Sequence, residues 1–309
     1  MERLVIPVLT PAAAGTLADL AARRDLDLEI VAVAIDVGCG ANLEGLRDLA
    51  LAAGARRCHV VDAIDTLAAS ICWPVLRAGA LGVPGEPVLT ALTMPVVAET
   101  LVEICRLEDA TTLGVWADTS GDRQRLRALL RALAPMLGLV SVSGAGAAAT
   151  ANLWARVAPA DGPAAPARAR VPGAAEVRIG FERGVPVALS GVTMTPAALV
   201  ESLGTITSAH GAGTWQVRAG GSGGGTWVVQ APAALALQVA FDALTADRFD
   251  PPTREMADAV AESYAAVVRD GTWFSPVRAG LDAFVDRVLD PATGEVRLRV
   301  VDGRIEVDA

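Results

Sequence analysis

The amino-acid sequence predicts an α/β protein in two parts, an open and mostly parallel sheet first and a smaller α+β domain after it. Three observations carry this. Apolar β-branched runs alternate with helical patterns through the first half, which is the rhythm of sequential βα units. A stretch rich in Pro, Ala and Gly, 158–174, then breaks the rhythm and has no periodicity of its own. Beyond it, strands come as close neighbours joined by Gly-containing turns, the first at Glu182-Arg183-Gly184. The expected domains are therefore 1–157 and 176–309, with 158–175 as a linker.

Five strands are expected in the first part, at Leu4–Leu9, Ile30–Val37, Cys58–Val61, Thr112–Trp116 and Leu139–Val142. Helices separate them at Ala12–Arg23, Leu43–Ala53, Ala63–Arg77, Met94–Leu107 and Asp122–Leu137. Parallel strands joined by helices require right-handed crossovers, and such sheets bind ligands at the carboxyl ends of their strands. In the second part Val177–Phe181 and Val185–Leu189 form a hairpin, followed by helices at Pro196–Ala209, Ala233–Ala246, Thr253–Arg269 and Pro276–Leu289. Val296–Val301, a turn at Asp302-Gly303 and Arg304–Val307 close the chain. The glycine run Gly220–Gly225 joins Thr214–Val217 to Thr226–Val229 and opens no helix, so it reads as a hairpin loop, not a phosphate cradle.

Composition narrows the chemistry. All 26 basic residues among the 309 are arginine. The absence of lysine excludes a Walker-type phosphate lysine, a Schiff base and a lysine general base. A net charge of −9 argues against nucleic acid, and no apolar stretch is long enough to cross a membrane, so a soluble metabolite or a protein is the expected partner. The amino terminus shows no signal-peptide pattern, and the expected location is the cytoplasm. Cys39, Cys58, Cys72 and Cys105 lack metal-ligand spacing and are expected as buried free thiols. His59 is expected as a half-buried strand residue with its polar needs met, and His210 at a helix C-terminus. Glu99 and Glu103, one helical turn apart, could act as an acid and base pair, but more simply form a solvated face. No metal site is expected.

Several ordered fragments resemble the argininosuccinate synthase family. They are Asp36-Val37-Gly38, Leu43–Arg47, the run Pro74–Pro95, Val97–Ile104, Asn152-Leu153-Trp154, Gly184–Gly191, His210–Gly213, Trp273–Pro276 and Thr293–Val300, and they cover nearly the whole chain. The resemblance implies an adenine-nucleotide α-hydrolase-like (Rossmann-like) first domain and a synthetase-type second domain. Members of the family join citrulline to aspartate with ATP and magnesium, and usually form homotetramers.

The implied site residues are altered. The family's pyrophosphate loop, S-G-G-x-D-T-S, corresponds here to Leu9–Gly15, where only Thr10 and Gly15 could form a weak anion cup. The same residues also read as a strand-to-helix turn with Thr10 as cap and Pro11 at the first helical position. In the substrate loop, Thr119, Asp122 and Arg125 align with family ligands, although the loop is shortened and a capped, solvated helix start is the better account of them. Thr90 survives from the citrulline contacts beside Met94, which replaces an arginine. Asn152 is retained, Val157 stands in place of a serine, and Gln230 in place of a carboxylate. A helical segment before Asn152 is shortened to Gly144–Ala151, and the family's C-terminal arm is expected to be lacking. The resemblance thus implies a family member that has lost ATP-dependent ligation, binds no cofactor and acts as a non-catalytic or repurposed paralogue. Such a paralogue would act as a homo-oligomer or in a mixed oligomer. The alternative is an active or repurposed ligase that binds an amino-acid-like ligand in the cleft between the domains.

Overall fold

Residues Ile30 to Ile35 of strand β2 (Leu28–Asp36) are each at most 5% exposed. A strand buried on both faces has to lie within a parallel sheet covered by helices on each side. That sheet has the order β3-β2-β1-β4-β5, with β1 at Glu2–Pro7, β3 at Arg57–Asp62, β4 at Thr112–Trp116 and β5 at Gly138–Val142. All its pairings are parallel. The structure is a computed structural model and describes residues 2–9, 13, 17, 18, 20, 21, 28–40, 42–82, 88–116, 121–142, 151–160, 171–218, 226–246 and 248–308.

On one face of this sheet, Leu4, Ile6, Ile30, Ala32 and Ala34 pack with Leu17, Leu46 and Ala50. Leu46 and Ala50 belong to α1 (Leu43–Ala52), whose cap Asn42 accepts from the amide of Gly45 at 3.0 Å. The helix expected over 63–77 is interrupted: α2 (Ile64–Leu67) passes through a π turn at Ala68–Cys72 into α3 (Trp73–Arg77). Pro74 has no amide to donate and its ring crowds the preceding turn, which accounts for the wider turn before it. A short α4 (Val88–Ala91) precedes α5 (Thr93–Leu107), and α6 (Gly121–Leu133) stops ahead of Pro135, earlier than expected.

The contacts divide the chain into two units, each discontinuous in sequence: 1–67 with 91–149 and 268–275, and 68–90 with 150–267 and 276–309. Composition alone suggested one boundary at 158–175. In the structure Arg156–Pro159 forms strand β6, and β7 (Ala174–Glu182) starts inside the expected linker, while 161–170 lie outside the described residues. β6 exists because it pairs with β11 (Thr226–Gln230), from Trp227 opposite Pro159 to Gln230 opposite Arg156. Local composition carries no trace of such a distant pairing. β10 (Thr214–Arg218) joins β11 as the expected antiparallel hairpin, although the glycine run between them lies outside the described residues.

The other sheet of the second unit has the order β13-β12-β7-β8-β9, with β8 at Val185–Leu189, β9 at Val192–Thr193, β12 at Gly294–Val301 and β13 at Arg304–Asp308. Its three hairpins turn on Arg183-Gly184, Ser190-Gly191 and Asp302-Gly303, all with positive φ at both residues. That turn type matches the right-handed twist of paired strands, and the glycine in second place adopts it without strain. Helices α7 (Pro196–Ala209), α8 (Pro232–Thr245), α9 (Pro251–Asp270) and α10 (Pro276–Leu289) complete the unit. Arg248, just after α8, donates to the carbonyls of Leu244, Pro291 and Thr293 and so holds the turn into β12. His210 caps α7 as expected, its carbonyl accepting from the Gly303 amide at 2.9 Å.

Cys72 and Cys105 are buried, and burial pushes the Cys105 thiol up to about 12. Cys39 and Cys58 are only half-buried, contrary to expectation, because one follows the end of β2 and the other lies on the edge strand β3. Among the described residues no helix is long and apolar enough to cross a membrane.

The amino-terminal edge of the parallel sheet is closed by a polar cluster. Glu108 is 3% exposed and takes His59 Nε2 at 2.7 Å and Arg57 Nη1 at 2.9 Å, while Arg3 donates to its carbonyl. Burial alone would raise the Glu108 pKa, but the bond from His59 and the charges of Arg57 and His59 outweigh it and hold the carboxyl below its ordinary 4.5. A depressed carboxyl stabilises the fold above its unfolded pKa, and the contribution is lost as pH falls through the folded value. Glu108→Gln should therefore lower stability by about 1–3 kcal/mol at neutral pH. In urea denaturation at stepped pH, the gap between the variant and the parent should close below 4.5.

Candidate functional site

In the first unit the strand order reverses between β1 and β4, and the crevice outside the carboxyl ends of those strands is the general ligand position of such sheets. Pro7 ends β1 and Trp116 ends β4. The Trp116 ring is 7% exposed, and its indole N–H donates to the Pro7 carbonyl at 3.0 Å, tying the two strand ends together. Beside them, the loop after β2 is held by Asp36, whose Oδ1 accepts from the Gly38 amide at 2.8 Å. Thr10, Gly15 and Thr119 lie outside the described residues.

Asp122 and Arg125 stand in the first two turns of α6, on one face at a spacing of three. Arg125 Nη1 meets Asp122 Oδ1 at 2.6 Å, and its Nε donates to the carbonyl of Arg269 at the end of α9. Both side chains are 17% exposed. The contact depends on Gly271, where a Cβ would fall 2.8 Å from the Arg125 Cα and carbonyl oxygen. Structure therefore brings Asp122 and Arg125 together, but in a bond that anchors 269–271 against α6. A ligand carboxylate would have to compete with Asp122 for this guanidinium.

Asn152 and Gln230 belong to the second unit. Asn152 is 7% exposed and its amide is engaged at both ends: Oδ1 accepts from the amides of Trp154 at 2.8 Å and Ala155 at 2.9 Å, and Nδ2 donates to Leu89 O at 2.8 Å. These bonds build the turn that leads into β6. Gln230, half-buried at the end of β11, lines an open cleft of about 870 Å³ together with Asn152, Arg156, Glu201, Thr205 and Ser208. The cleft wall is stiffened by Trp154, whose ring meets Trp73 edge to face at 5.6 Å. Thr90 lies in α4, and its side chain is outside the described residues.

Sequence reasoning missed Glu201, Thr205 and Ser208. Their spacing of four and then three places them on one face of α7, a polar stripe that periodicity could have singled out. It could not have shown that the stripe faces Gln230, which arrives from another strand.

The parallel sheet with its switch point, followed by a second unit of antiparallel sheets and helices, defines a two-domain α/β protein. Residues 16–146 match the family described as arginosuccinate synthase N-terminal HUP domain, and residues 163–309 match the arginosuccinate synthase C-terminal domain. The argininosuccinate synthase of Moorella thermoacetica is 30% identical over 89% of this chain and 78% of its own length. The argininosuccinate synthase of Caldanaerobacter subterraneus is 28% identical over 92% of this chain and 80% of its own, and that of Nitratidesulfovibrio vulgaris 28% over 89% and 80%. The chain belongs to the argininosuccinate synthase family.

The geometry of Asn152 makes a direct prediction. Asn152→Ala removes three buried hydrogen bonds and leaves two amides and a carbonyl without partners, so it should cost about 2–4 kcal/mol. Thermal unfolding without any ligand should show the loss.

Proposed function

We propose that this family member no longer ligates citrulline to aspartate with ATP and acts instead as a non-catalytic or repurposed paralogue. The carrying observation is the donor set of Leu9–Gly15, where the family binds pyrophosphate. Pro11 has no amide to offer, Ala12, Ala13 and Ala14 bring neither hydroxyl nor acid, and no lysine exists elsewhere to supply the charge. Magnesium-bound triphosphate does not fit this set. Substitutions at the citrulline contacts support the reading, since Met94 and Val157 are packed apolar residues, 5% and 9% exposed, where the family has polar ones. Arg125 supports it too, because Asp122 and the Arg269 carbonyl already engage it. In this role the protein works through contacts with copies of itself or with a conventional family member.

Thermal unfolding with millimolar ATP and magnesium should show no stabilisation, because only a ligand that prefers the folded state raises it. Pyrophosphate release with citrulline and aspartate present should stay at background. Release above background with the purified chain overturns the proposal.

The open cleft favours a second reading, in which the protein binds an amino-acid-like ligand. Gln230, Arg156 and Glu201 offer an amide, a cation and a carboxylate, which is the complement of a zwitterion with a polar side chain. A thermal-shift screen of amino acids and ureido compounds should then find a stabilising ligand, and Gln230→Ala should weaken it at least tenfold. A screen with no hit, or a hit indifferent to Gln230, removes this reading.

A further inference from the structure

Helix α6 is a cationic element in an acidic chain. It carries four arginines against one acid, Asp122, and no acidic residue follows Asp122 until Asp161, although the whole chain has a net charge of −9. Arg125 is engaged by Asp122 and the Arg269 carbonyl. The other three, Arg123, Arg127 and Arg131, recur every four residues and so run along one flank of the helix, about 12 Å from first to last at ~1.5 Å per residue. Among the described residues none of the three stands in an ion pair or a hydrogen bond. Arg131 is exposed. Arg127 is half-buried, with its Nε sealed from water and without an acceptor, so packing restrains this guanidinium before any partner arrives.

Helix α9 carries the opposite pattern. Glu255, Asp258 and Glu262, at spacings of three and four, form one ridge about 10.5 Å long at ~1.5 Å per residue. All three are exposed, and none stands in an ion pair or a hydrogen bond among the described residues. Arg254, the nearest cation in sequence, donates to the Ala246 carbonyl instead. Each pattern also has an exposed methionine close by in sequence, Met136 at 94% beyond the end of α6 and Met256 at 53% beside Glu255. Methionine and arginine are the residue types that protein interfaces enrich over ordinary surface.

We propose that the arginine row of α6 docks on the acidic ridge of α9 in a second copy of this chain. The two match in number of charges, in sign and in length, and neither has a partner of its own. A nucleic acid would find only three cations here and would be repelled by the rest of the chain. Each copy offers one row and one ridge, so the contact is heterologous and repeats from copy to copy. Exposed ion pairs contribute little singly, and the expected contact is accordingly weak, salt-sensitive and set in register by its charges. The proposal names a contact for the copies invoked above but does not rest on the loss of ligation: pyrophosphate release tests that reading, and association tests this one.

The experiment is sedimentation velocity of the full chain at low and high salt, since the Debye length falls from about 10 Å at 0.1 M to about 3 Å at 1 M. At low salt the average mass should rise with protein concentration, and at high salt most of that rise should vanish. Arg131→Glu and Glu262→Arg, both at exposed positions, should each weaken association at least fivefold, although they move the net charge in opposite directions. An equimolar mixture of the two should regain association as one-to-one pairs, because the intact ridge of the first meets the intact row of the second. Arg297→Glu, on the exposed face of β12, changes the charge as Arg131→Glu does and should leave association as it was. Should either test variant fail to fold by circular dichroism, Arg123→Glu or Glu255→Arg takes its place. A single mass at every concentration, association indifferent to salt, strengthening by Glu262→Arg, a mixture no better than its components, or an equal loss in Arg297→Glu overturns the proposal.

Discussion

Two-sided burial of the central strands is the constraint from which the first unit follows. With Ile30 to Ile35 and Leu4 to Ile6 nearly sealed from water, β1 and β2 cannot face solvent, so helices must cover both faces and every crossover must pass over the sheet. Each buried Val, Ile or Leu contributes about 1.5–3 kcal/mol, so this pair of strands outweighs any single polar contact in the unit. Polar groups then finish the two ends. At the amino-terminal edge Arg57 and His59 meet the buried Glu108, and at the carboxyl edge the Trp116 indole binds the Pro7 carbonyl. The switch point between β1 and β4 is a product of this order, not an addition to it.

A chain without lysine has only guanidinium groups for its positive charges, and here many of them hold backbone. Arg3, Arg77, Arg125 and Arg248 donate to carbonyl oxygens far along the chain, and Arg254 to one eight residues back. A planar fork with five donors can bind a carbonyl and a carboxylate together, as Arg125 and Arg77 do, whereas an ammonium group is a point charge. The functional consequence is sharpest at Arg125. Resemblance hands this residue to a substrate carboxylate, but folding gives its guanidinium to Asp122 and to the end of α9 first.

Much of the fold was legible because its signals are local. Thr112–Trp116, Val185–Leu189, Pro196–Ala209 and Pro276–Leu289 have the limits that periodicity and turn chemistry predicted. The turns at Arg183-Gly184 and Asp302-Gly303 were equally plain, while Ser190-Gly191 passed unnoticed because β9 after it is two residues long. Composition places only Ala158 and Pro159 of β6 in a linker and shows no strand there, since its partner lies about seventy residues on, and periodicity shows a continuous helix where the π turn precedes Pro74. At the candidate site the residue types were legible and their engagement was not. Asn152 reads as a ligand in sequence and is a turn builder in space.

The sequence by itself determined the family and most of the element order, because apolar period and turn residues are properties of neighbouring positions. Tertiary structure decided what each polar side chain is free to do. Arg125 finds its carbonyl 144 residues away, Asn152 finds Leu89 63 residues away, and the α7 stripe acquires Gln230 from another strand. A hydrogen bond is satisfied by whatever group packing brings within 3 Å or so, and packing is settled by the burial of the whole chain.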